Sequence, residues 1–336
     1  MAFTCLSYAV AFPRNHLDPL DKNLVKGIAI KDEEPIIDLN QKTADVNETL
    51  PLFRAMAAAA YCTKFTVQKS HFPCGSGHSN GCPIDALGVL NATEIIYHYQ
   101  DPNTTASAYI AYSYPLESIV IVFKGTDNLP LTLLDARFYF SMINVIQKTP
   151  HFDAMPNSKG NFSFTDFERR QLKVHTGFLQ YWTSLRYPVM THLYDAAMAH
   201  PNYKIVFIGH SLGGAVANLA SVDWYNQFPD WQDRISVATF GQPRVGNIQW
   251  ADYCGSLPFA SRVYRVANKG DPVVHLPPNF LAYYHSIRQY EIDVYGPATP
   301  CYDNRGKGGE GYECLQDGKF FNIAAHSNYY NYTNTC

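Results

Sequence analysis

Strand-like and helix-like hydrophobic patterns alternate along most of this chain. Residues 118–124 are apolar almost throughout and residues 205–208 are β-branched or aromatic, which predicts two buried strands. Further strands are predicted at residues 94–99, 108–112, 235–240 and 262–266. Apolar residues at helical spacing predict helices over residues 50–61, over about 175–200 and directly after Ser211. This alternation predicts an α/β protein with a central, mostly parallel sheet flanked by helices.

The same pattern indicates one domain preceded by an extension. Residues 12–47 are polar, mix acidic with basic side chains and show no sustained period. We therefore expect residues 1–50 to be a leader, a pro-segment or a loose extension, and residues 51–336 to form one domain. No internal repeat is found in the chain.

Composition narrows the class of protein. Hydrophobic residues make up 46% and charged residues 16% of the chain, which favours a sizeable core over disorder. The net charge is −3 and no Lys/Arg cluster occurs, so a nucleic-acid partner is not expected. No apolar run approaches the roughly 20 residues that span a bilayer, so we expect no transmembrane segment. We expect a monomer.

Cysteines and glycosylation sequons point to the secretory pathway. The chain has eight cysteines, an even number that is compatible with disulfides. N-x-S/T sequons occur at Asn47, Asn91, Asn103, Asn161 and Asn331. Residues 9–11 resemble a signal-peptidase site, although the uncharged stretch before them is short and lacks a basic start. We predict a secreted protein and interpret residues 1–11 as the remainder of a signal sequence.

Two other patterns raise the question of a bound metal or cofactor. Two histidines and two cysteines lie within residues 71–82, but their spacing matches no common zinc finger, so a Cys74–Cys82 disulfide is favoured over a zinc site. Residues 306–311 fit G-x-G-x-x-G, but neither a strand precedes them nor a helix follows. They are interpreted as a flexible loop. We predict no metal and no cofactor.

The sequence GHSLG at residues 209–213 is the strongest chemical signal. It separates the predicted strand at 205–208 from a segment with helical spacing. In that context the pattern predicts a sharp turn, which holds its serine in a strained conformation over the positive end of the helix. Flanking glycines are required because side chains there would collide with neighbouring backbone. We predict that Ser211 is a nucleophile rather than an ordinary turn serine.

A serine nucleophile needs a histidine to accept its proton and a carboxylate to orient that histidine. Asp271 follows the predicted strand at 262–266, at the edge where open α/β sheets build their sites. Three histidines come later: His275 in a proline-bounded loop, His285 before a strand-like run at 286–294, and His326 in a late loop. The residues alone favour His326 for its loop position without excluding the other two.

The strand at 118–124 runs into Gly125, Thr126 and Asp127. A donor for an oxyanion is needed at such a strand end, beside the nucleophile strand. The leucine-rich segment 128–135 follows, with apolar residues at Leu129, Leu131, Leu133 and Leu134. We favour a mobile lid over an apolar pocket for this segment, and a core helix is the alternative.

From about residue 60 onward, the chain resembles the class 3 (fungal-type) triacylglycerol lipases, which have the α/β-hydrolase fold. The landmarks are IVFKGT at 121–126, HTGF at 175–178, GHSLG at 209–213, TFGQPRVG at 239–246, DPVVHLPP at 271–278 and HSNYY at 326–330. The resemblance implies that Ser211, Asp271 and His326 form a catalytic triad and that His275 and His285 are structural. It also implies an oxyanion hole formed by Thr126, through its N–H and side chain, and by the N–H of Leu212, with a short lid following.

The resemblance further suggests the disulfides Cys62–Cys336, Cys74–Cys82 and Cys301–Cys314. Cys5, which would be removed with the leader, and Cys254 are then left over. Three features depart from the family: Asp127 after the oxyanion threonine, Pro130 in the lid, and the N-terminal extension. They affect the expected lid mechanics and substrate range rather than the triad.

We therefore expect a secreted serine hydrolase that cleaves acylglycerol esters through an acyl-enzyme, acting on lipid at a lipid–water interface. The alternatives are an esterase for soluble or aryl esters, a phospholipase A1, and a non-catalytic lipid-binding protein that retains the fold.

Overall fold

A computed structural model of the chain describes residues 46–61, 70–71, 89–90, 92–127, 140–142, 171–286, 289–293, 296–301 and 322–332. The expected lid and most of the N-terminal extension lie outside these residues. The same holds for Asn91 and Asn161, and for Cys5, Cys62, Cys74, Cys82, Cys314 and Cys336. The expected domain boundary near residue 50 stays a prediction.

Within the described residues, nine strands form one sheet. The strands are β1 Ser70–His71, β2 Thr93–Gln100, β3 Ser107–Ser113, β4 Ser118–Phe123, β7 Lys204–His210, β8 Ile235–Phe240, β9 Val263–Asn268, β10 Gln289–Ile292 and β11 Thr299–Cys301. Their order across the sheet is β1-β2-β3-β4-β7-β8-β9-β10-β11. Strands β4, β7, β8, β9 and β10 are mutually parallel, and the outer pairings are antiparallel. The central parallel sheet matches the sequence expectation. A separate antiparallel pair joins β5 Phe140–Met142 to β6 Lys173–His175.

Helices cover both faces of the sheet. They are α1 Val46–Ala59, α2 Thr176–Ala199, α3 Leu212–Gln227, α4 Ile248–Ser256 and the short α5 Ile323–Ser327. Alternate residues of each central strand enter opposite cores. In β4, Ile121 packs in the cluster that contains α2 and α3, whereas Val120 and Val122 pack in the cluster that contains α1. Burial on both faces explains why these strands are apolar almost throughout.

A buried ion pair joins the two long helices. The Nε of Arg186 in α2 lies 2.6 Å from Oδ2 of Asp223 in α3, and Trp182 donates to the same oxygen at 2.9 Å. The carboxylate is fully buried, and these donors offset the cost of removing its charge from water. The pair holds α2 against α3, the helix that follows Ser211.

Observed element boundaries differ from the predictions mainly at the ends. Helix α1 begins at Val46, four residues before the predicted start, and Pro51 is tolerated in its second turn. The strand-like run at 286–294 is shorter than expected, because β10 spans only Gln289–Ile292 and leaves His285 outside it. No helix among the described residues is long and apolar enough to cross a membrane.

Candidate active site

Ser211 occupies the turn between β7 and α3. Its backbone has φ 58° and ψ −130°, a conformation that non-glycine residues rarely adopt and that is found mostly at functional sites. A Cβ on Gly209 would overlap the backbone of Gly213, so the turn can close this tightly only with glycine at position 209. Ser211 Oγ is buried, without a hydrogen-bond partner among the described residues. The Ser211 hydroxyl is therefore not engaged by any other described side chain.

Asp271 and His326 lie in direct contact. His326 Nδ1 is 2.8 Å from Oδ2 and 2.9 Å from Oδ1 of Asp271, and both side chains are buried. The carboxylate also accepts a hydrogen bond from the Tyr329 hydroxyl at 2.5 Å and from the Val273 N–H at 2.7 Å. Because Nδ1 faces a carboxylate, it carries the proton, and Nε2 is left as the basic nitrogen. That Nε2 has no hydrogen-bond partner within the described part of the chain.

The ends of adjacent strands bring these residues to one edge of the sheet. Ser211 follows β7 and its N–H donates to the carbonyl of Phe240, the last residue of β8. Gly241, with φ +62°, comes next. A Cβ added to it would lie 2.8 Å from Cε1 of His326 and 2.9 Å from Oδ2 of Asp271. Gly241 therefore leaves the space that the acid and the histidine occupy.

The other two candidate histidines take different positions. His285 is buried and its Nε2 lies 2.7 Å from the Val274 carbonyl, so it braces the loop after Asp271. Burial, together with the nearby positive charge of Arg265, lowers its pKa well below the usual value, which keeps it neutral. His275 ends a 3-10 turn, and its carbonyl accepts a hydrogen bond from Arg244. The histidine in contact with Asp271 is His326.

The two expected oxyanion donors lie at neighbouring strand ends. Thr126 follows β4, and Leu212 is the first residue of α3, where the backbone N–H groups have no partner within the helix. β4 and β7 pair in parallel up to Phe123 opposite Gly209, which places both donors at the edge that carries Ser211. An ion pair between Lys124 Nζ and Asp127, 2.8 Å long, flanks Thr126. Asp127, a departure from the family pattern, thus has a partner three residues earlier, directly after β4.

Sequence reasoning missed the polar side chains beneath the site. His210, part of the GHSLG motif, contacts the Tyr61 hydroxyl through Nδ1 and the backbone carbonyl of His326 through Nε2, both at 2.8 Å. Buried Arg54 of α1 donates to the carbonyl of Tyr332 at 2.9 Å. His210 lies in the GHSLG motif and Tyr329 in the HSNYY motif, so the sequence could have indicated that both residues lie near the site. Nothing in the sequence marks Arg54 or Tyr61.

Some of the predictions about disulfides, glycosylation sites and metals concern residues that the structure describes. Cys301 is disulfide-bonded, and its expected partner lies outside the described residues. Cys254 is a free, buried thiol, and burial raises its pKa to about 12. The sequon asparagines Asn47, Asn103 and Asn331 are exposed. The described residues contain no cluster of three His, Cys, Asp or Glu that could hold a metal.

Comparison with known proteins gives a consistent result. Residues 120–281 match the family described as Lipase (class 3). The chain is 30% identical over 238 residues to "Secreted mono- and diacylglycerol lipase 1" of Fusarium solani, covering 70% of this chain and 61% of that protein. It is 35% identical over 194 residues to a lipase of Rhizomucor miehei, covering 57% of this chain and 47% of that protein.

Solved structures extend the similarity over more of the chain. Lipase II from Rhizopus niveus superposes with a TM-score of 0.67 at 25% identity, covering 85% of this chain and 95% of that one. By sequence, the chain spans somewhat under two thirds of the length of the Fusarium relative and of a Rhizopus niveus lipase, at 61% and 63%. The matched family, the fungal relatives and the sheet topology agree: the chain has the α/β-hydrolase fold, and its residues 120–281 match the class 3 lipase family.

Proposed function

We propose that this protein is a secreted lipase that hydrolyses the ester bonds of acylglycerols through Ser211, His326 and Asp271. One observation carries the proposal. His326 Nδ1 is held by both oxygens of Asp271, while His326 Nε2 and Ser211 Oγ are buried and have no partner among the described residues. A base with its proton-accepting nitrogen available and a serine on a strained turn are what nucleophilic ester hydrolysis requires.

In the proposed mechanism, Ser211 Oγ attacks the ester carbonyl carbon and His326 Nε2 takes the hydroxyl proton. The ring becomes an imidazolium, which the buried Asp271 carboxylate stabilises. His326 then gives the proton to the leaving alcohol, so that the acyl group stays on Ser211. Water, deprotonated by the same nitrogen, then attacks the acyl carbonyl. The bond to Ser211 Oγ breaks, His326 returns the proton to Oγ, and the fatty acid is released.

The oxyanion of each tetrahedral intermediate needs fixed donors at the same edge of the sheet. We propose the N–H and hydroxyl of Thr126 and the N–H of Leu212. The N-terminal end of α3 adds a partial positive charge at that point. Losing one such donor typically lowers kcat by about 10²–10³-fold. The expected lid leucines, Leu129, Leu131, Leu133 and Leu134, lie outside the described residues and stay part of the proposal.

Several observations support the substrate class and the compartment. One relative is named a mono- and diacylglycerol lipase and secreted, which favours acylglycerols over other esters. The disulfide at Cys301 and the exposed sequons suit an oxidising, secretory route. We also propose the disulfides and glycosylation sites predicted from the sequence, and a monomeric state.

The test is the initial rate of tributyrin hydrolysis, measured from below its solubility limit into emulsion. We expect a rise in rate when the emulsion forms, and a loss of about 10⁴-fold or more in Ser211→Ala. Ser221→Ala is the matched control: this buried serine of α3 donates to the Asn218 carbonyl and makes no other side-chain hydrogen bond within the described part of the chain, so its loss should leave the rate unchanged.

Each other outcome has a definite meaning. Smooth saturation below the solubility limit would indicate an esterase for soluble esters. Full hydrolysis by Ser211→Ala would contradict the mechanism. Inactive wild-type protein would favour a non-catalytic lipid-binding protein.

A further inference from the structure

We propose that Tyr61 and His210 are positioning residues that connect the oxyanion loop, the nucleophile turn and the histidine segment by a line of two hydrogen bonds and one close backbone contact. Neither residue is part of the triad or of the expected oxyanion hole. The inference rests on the proposed function, because it assigns these residues a role in the same reaction.

The line can be followed atom by atom from its acceptor end. His210 Nε2 is 2.8 Å from the backbone carbonyl oxygen of His326. A carbonyl oxygen can only accept, so Nε2 carries the ring proton. In a neutral ring Nδ1 is then an acceptor, and the Tyr61 hydroxyl, 2.8 Å away, donates to it. The two partners therefore determine which tautomer His210 adopts.

The line continues from Tyr61 into the oxyanion loop. The backbone of Gly125, the residue before Thr126, lies directly against the phenol oxygen of Tyr61. The approach is so close that a Cβ on Gly125 would overlap this oxygen and lie 2.7 Å from the His210 carbonyl. The two hydrogen bonds point in the same direction, from Tyr61 through His210 to His326. Hydrogen bonds arranged in this way polarise and strengthen one another.

The surroundings keep His210 neutral, as this line requires. His210 is 1% exposed, and burial lowers its pKa well below the usual value, with His326 and Arg54 adding to the effect. Arg54 is fully buried, and it holds the carbonyl of Tyr332 behind the histidine segment. A protonated His210 would place a second cation in this interior, close to the guanidinium of Arg54.

The arrangement links catalytic groups that are far apart in sequence. His210 is bonded covalently to Ser211 and by hydrogen bond to the backbone of His326, so it sets how far the base lies from the nucleophile. Tyr61 extends this connection to the loop that carries Thr126. Proton transfer requires the serine oxygen and Nε2 within about 3 Å, and a misplacement of about 1 Å can reduce the rate by 10²-fold.

The first test is Tyr61→Phe, which keeps the ring and removes the hydroxyl from the middle of the line. We expect kcat on a soluble ester to fall by about tenfold or more with KM unchanged, because substrate contacts stay and only the alignment of the reacting groups is lost. Tyr109→Phe is the matched control. Its hydroxyl is also buried and donates to α1, to the carbonyl of Met56 at 2.7 Å, but lies outside the line. It should keep kcat within twofold.

The second test needs no substitution. In the ¹⁵N NMR spectrum of histidine-labelled wild-type protein at neutral pH, His210 should show a protonated Nε2 and an unprotonated Nδ1. A protonated Nδ1, or an imidazolium, would overturn the proposal, as would full kcat in a folded Tyr61→Phe. The tautomer is read without any reaction, so its failure is distinct from failure of the proposed lipase activity, which Ser211→Ala tests.

Discussion

Gly241 shows how little room surrounds the acid and the histidine. Its φ of +62° is unfavourable for any other residue, and an added Cβ would lie within 3 Å of both Asp271 and His326. We predict that Gly241→Ala lowers kcat/KM by at least about 10²-fold, because the methyl group must displace the paired side chains. The measurement is hydrolysis of a soluble ester, together with the thermal midpoint of the folded variant.

The control for this prediction is Gly255→Ala in α4. A Cβ at Gly255 would meet no atom within 4 Å, and alanine is the better helix former by roughly 0.5–1 kcal/mol. Activity should be unchanged and stability unchanged or slightly higher. If Gly241→Ala behaves in the same way, the packing around the acid and histidine is looser than the structure indicates.

At the residue scale, the sequence predicted positions where a motif specified local geometry. Glycines around Ser211 and a loop aspartate after a strand are local patterns, and the structure places Ser211 after β7 and Asp271 after β9, on either side of β8. The catalytic roles of both residues stay predictions. The choice among His275, His285 and His326 depended on resemblance, because sequence spacing does not say which loop folds back to Asp271. Tyr61 could not be found, since its contact with His210 spans 149 residues.

At the scale of elements, helix α2 begins with a titratable cap. The Nδ1 of His175 accepts a hydrogen bond from the Gly177 N–H at 3.1 Å, which satisfies one of the unpaired donors of the first turn. Burial lowers the pKa of His175 to about 4. An unfolded histidine has a pKa of about 6.5, so between these values the unfolded chain binds more protons than the folded one.

We predict that the free energy of unfolding of the wild-type protein decreases as the pH falls from about 6.5 to about 4. In the variant His175→Asn, the free energy of unfolding should decrease less steeply over the same range. Asparagine offers a cap acceptor that does not titrate, whereas protonated histidine loses its acceptor. The measurement is urea unfolding of both proteins across this range. His210 and His285 shift in the same direction, so the difference between the two proteins isolates His175. Parallel curves would contradict the prediction.

The predicted elements differ in accuracy for a physical reason. Central strands such as β8, which matches residues 235–240, are buried on both faces and leave a clear apolar run. Short strands such as β1, β6 and β11 were not predicted. They have two or three residues each, too few to show a period. β1 and β11 form because a longer strand supplies their hydrogen bonds, whereas β6 pairs with the equally short β5.

At the scale of the whole molecule, one loop tip presents an exposed aromatic ring. Phe280 is 85% exposed on a 3-10 turn, Asn279–Leu281, in the loop that leaves the sheet after Asp271. The loop is held in place, because Arg244 donates to the Pro277 carbonyl at 2.9 Å. Moving this phenyl ring from water into lipid is favourable. Full burial lowers the free energy by about 1.5–3 kcal/mol.

We therefore predict that Phe280→Ser weakens adsorption to emulsified tributyrin by about tenfold and leaves hydrolysis of a dissolved ester unchanged. Met198→Ser is the matched control: Met198 is 46% exposed but lies at the end of α2, near the start of β7 and thus at the opposite edge of the sheet. Adsorption is measured by centrifugation with the emulsion. Equal loss in both variants would mean that Phe280 has no special part in contact with the lipid.

The attachment of the His326 segment to α1 has a consequence for how the protein is made. Arg54 is translated early, and the carbonyl that it binds belongs to Tyr332, 278 residues later. A ribosome-bound chain already contains Ser211 and Asp271 long before the segment that carries the base emerges. Under the proposed mechanism, a nascent chain that lacks this segment therefore cannot cleave esters, and activity begins only when the segment that carries His326 docks onto α1.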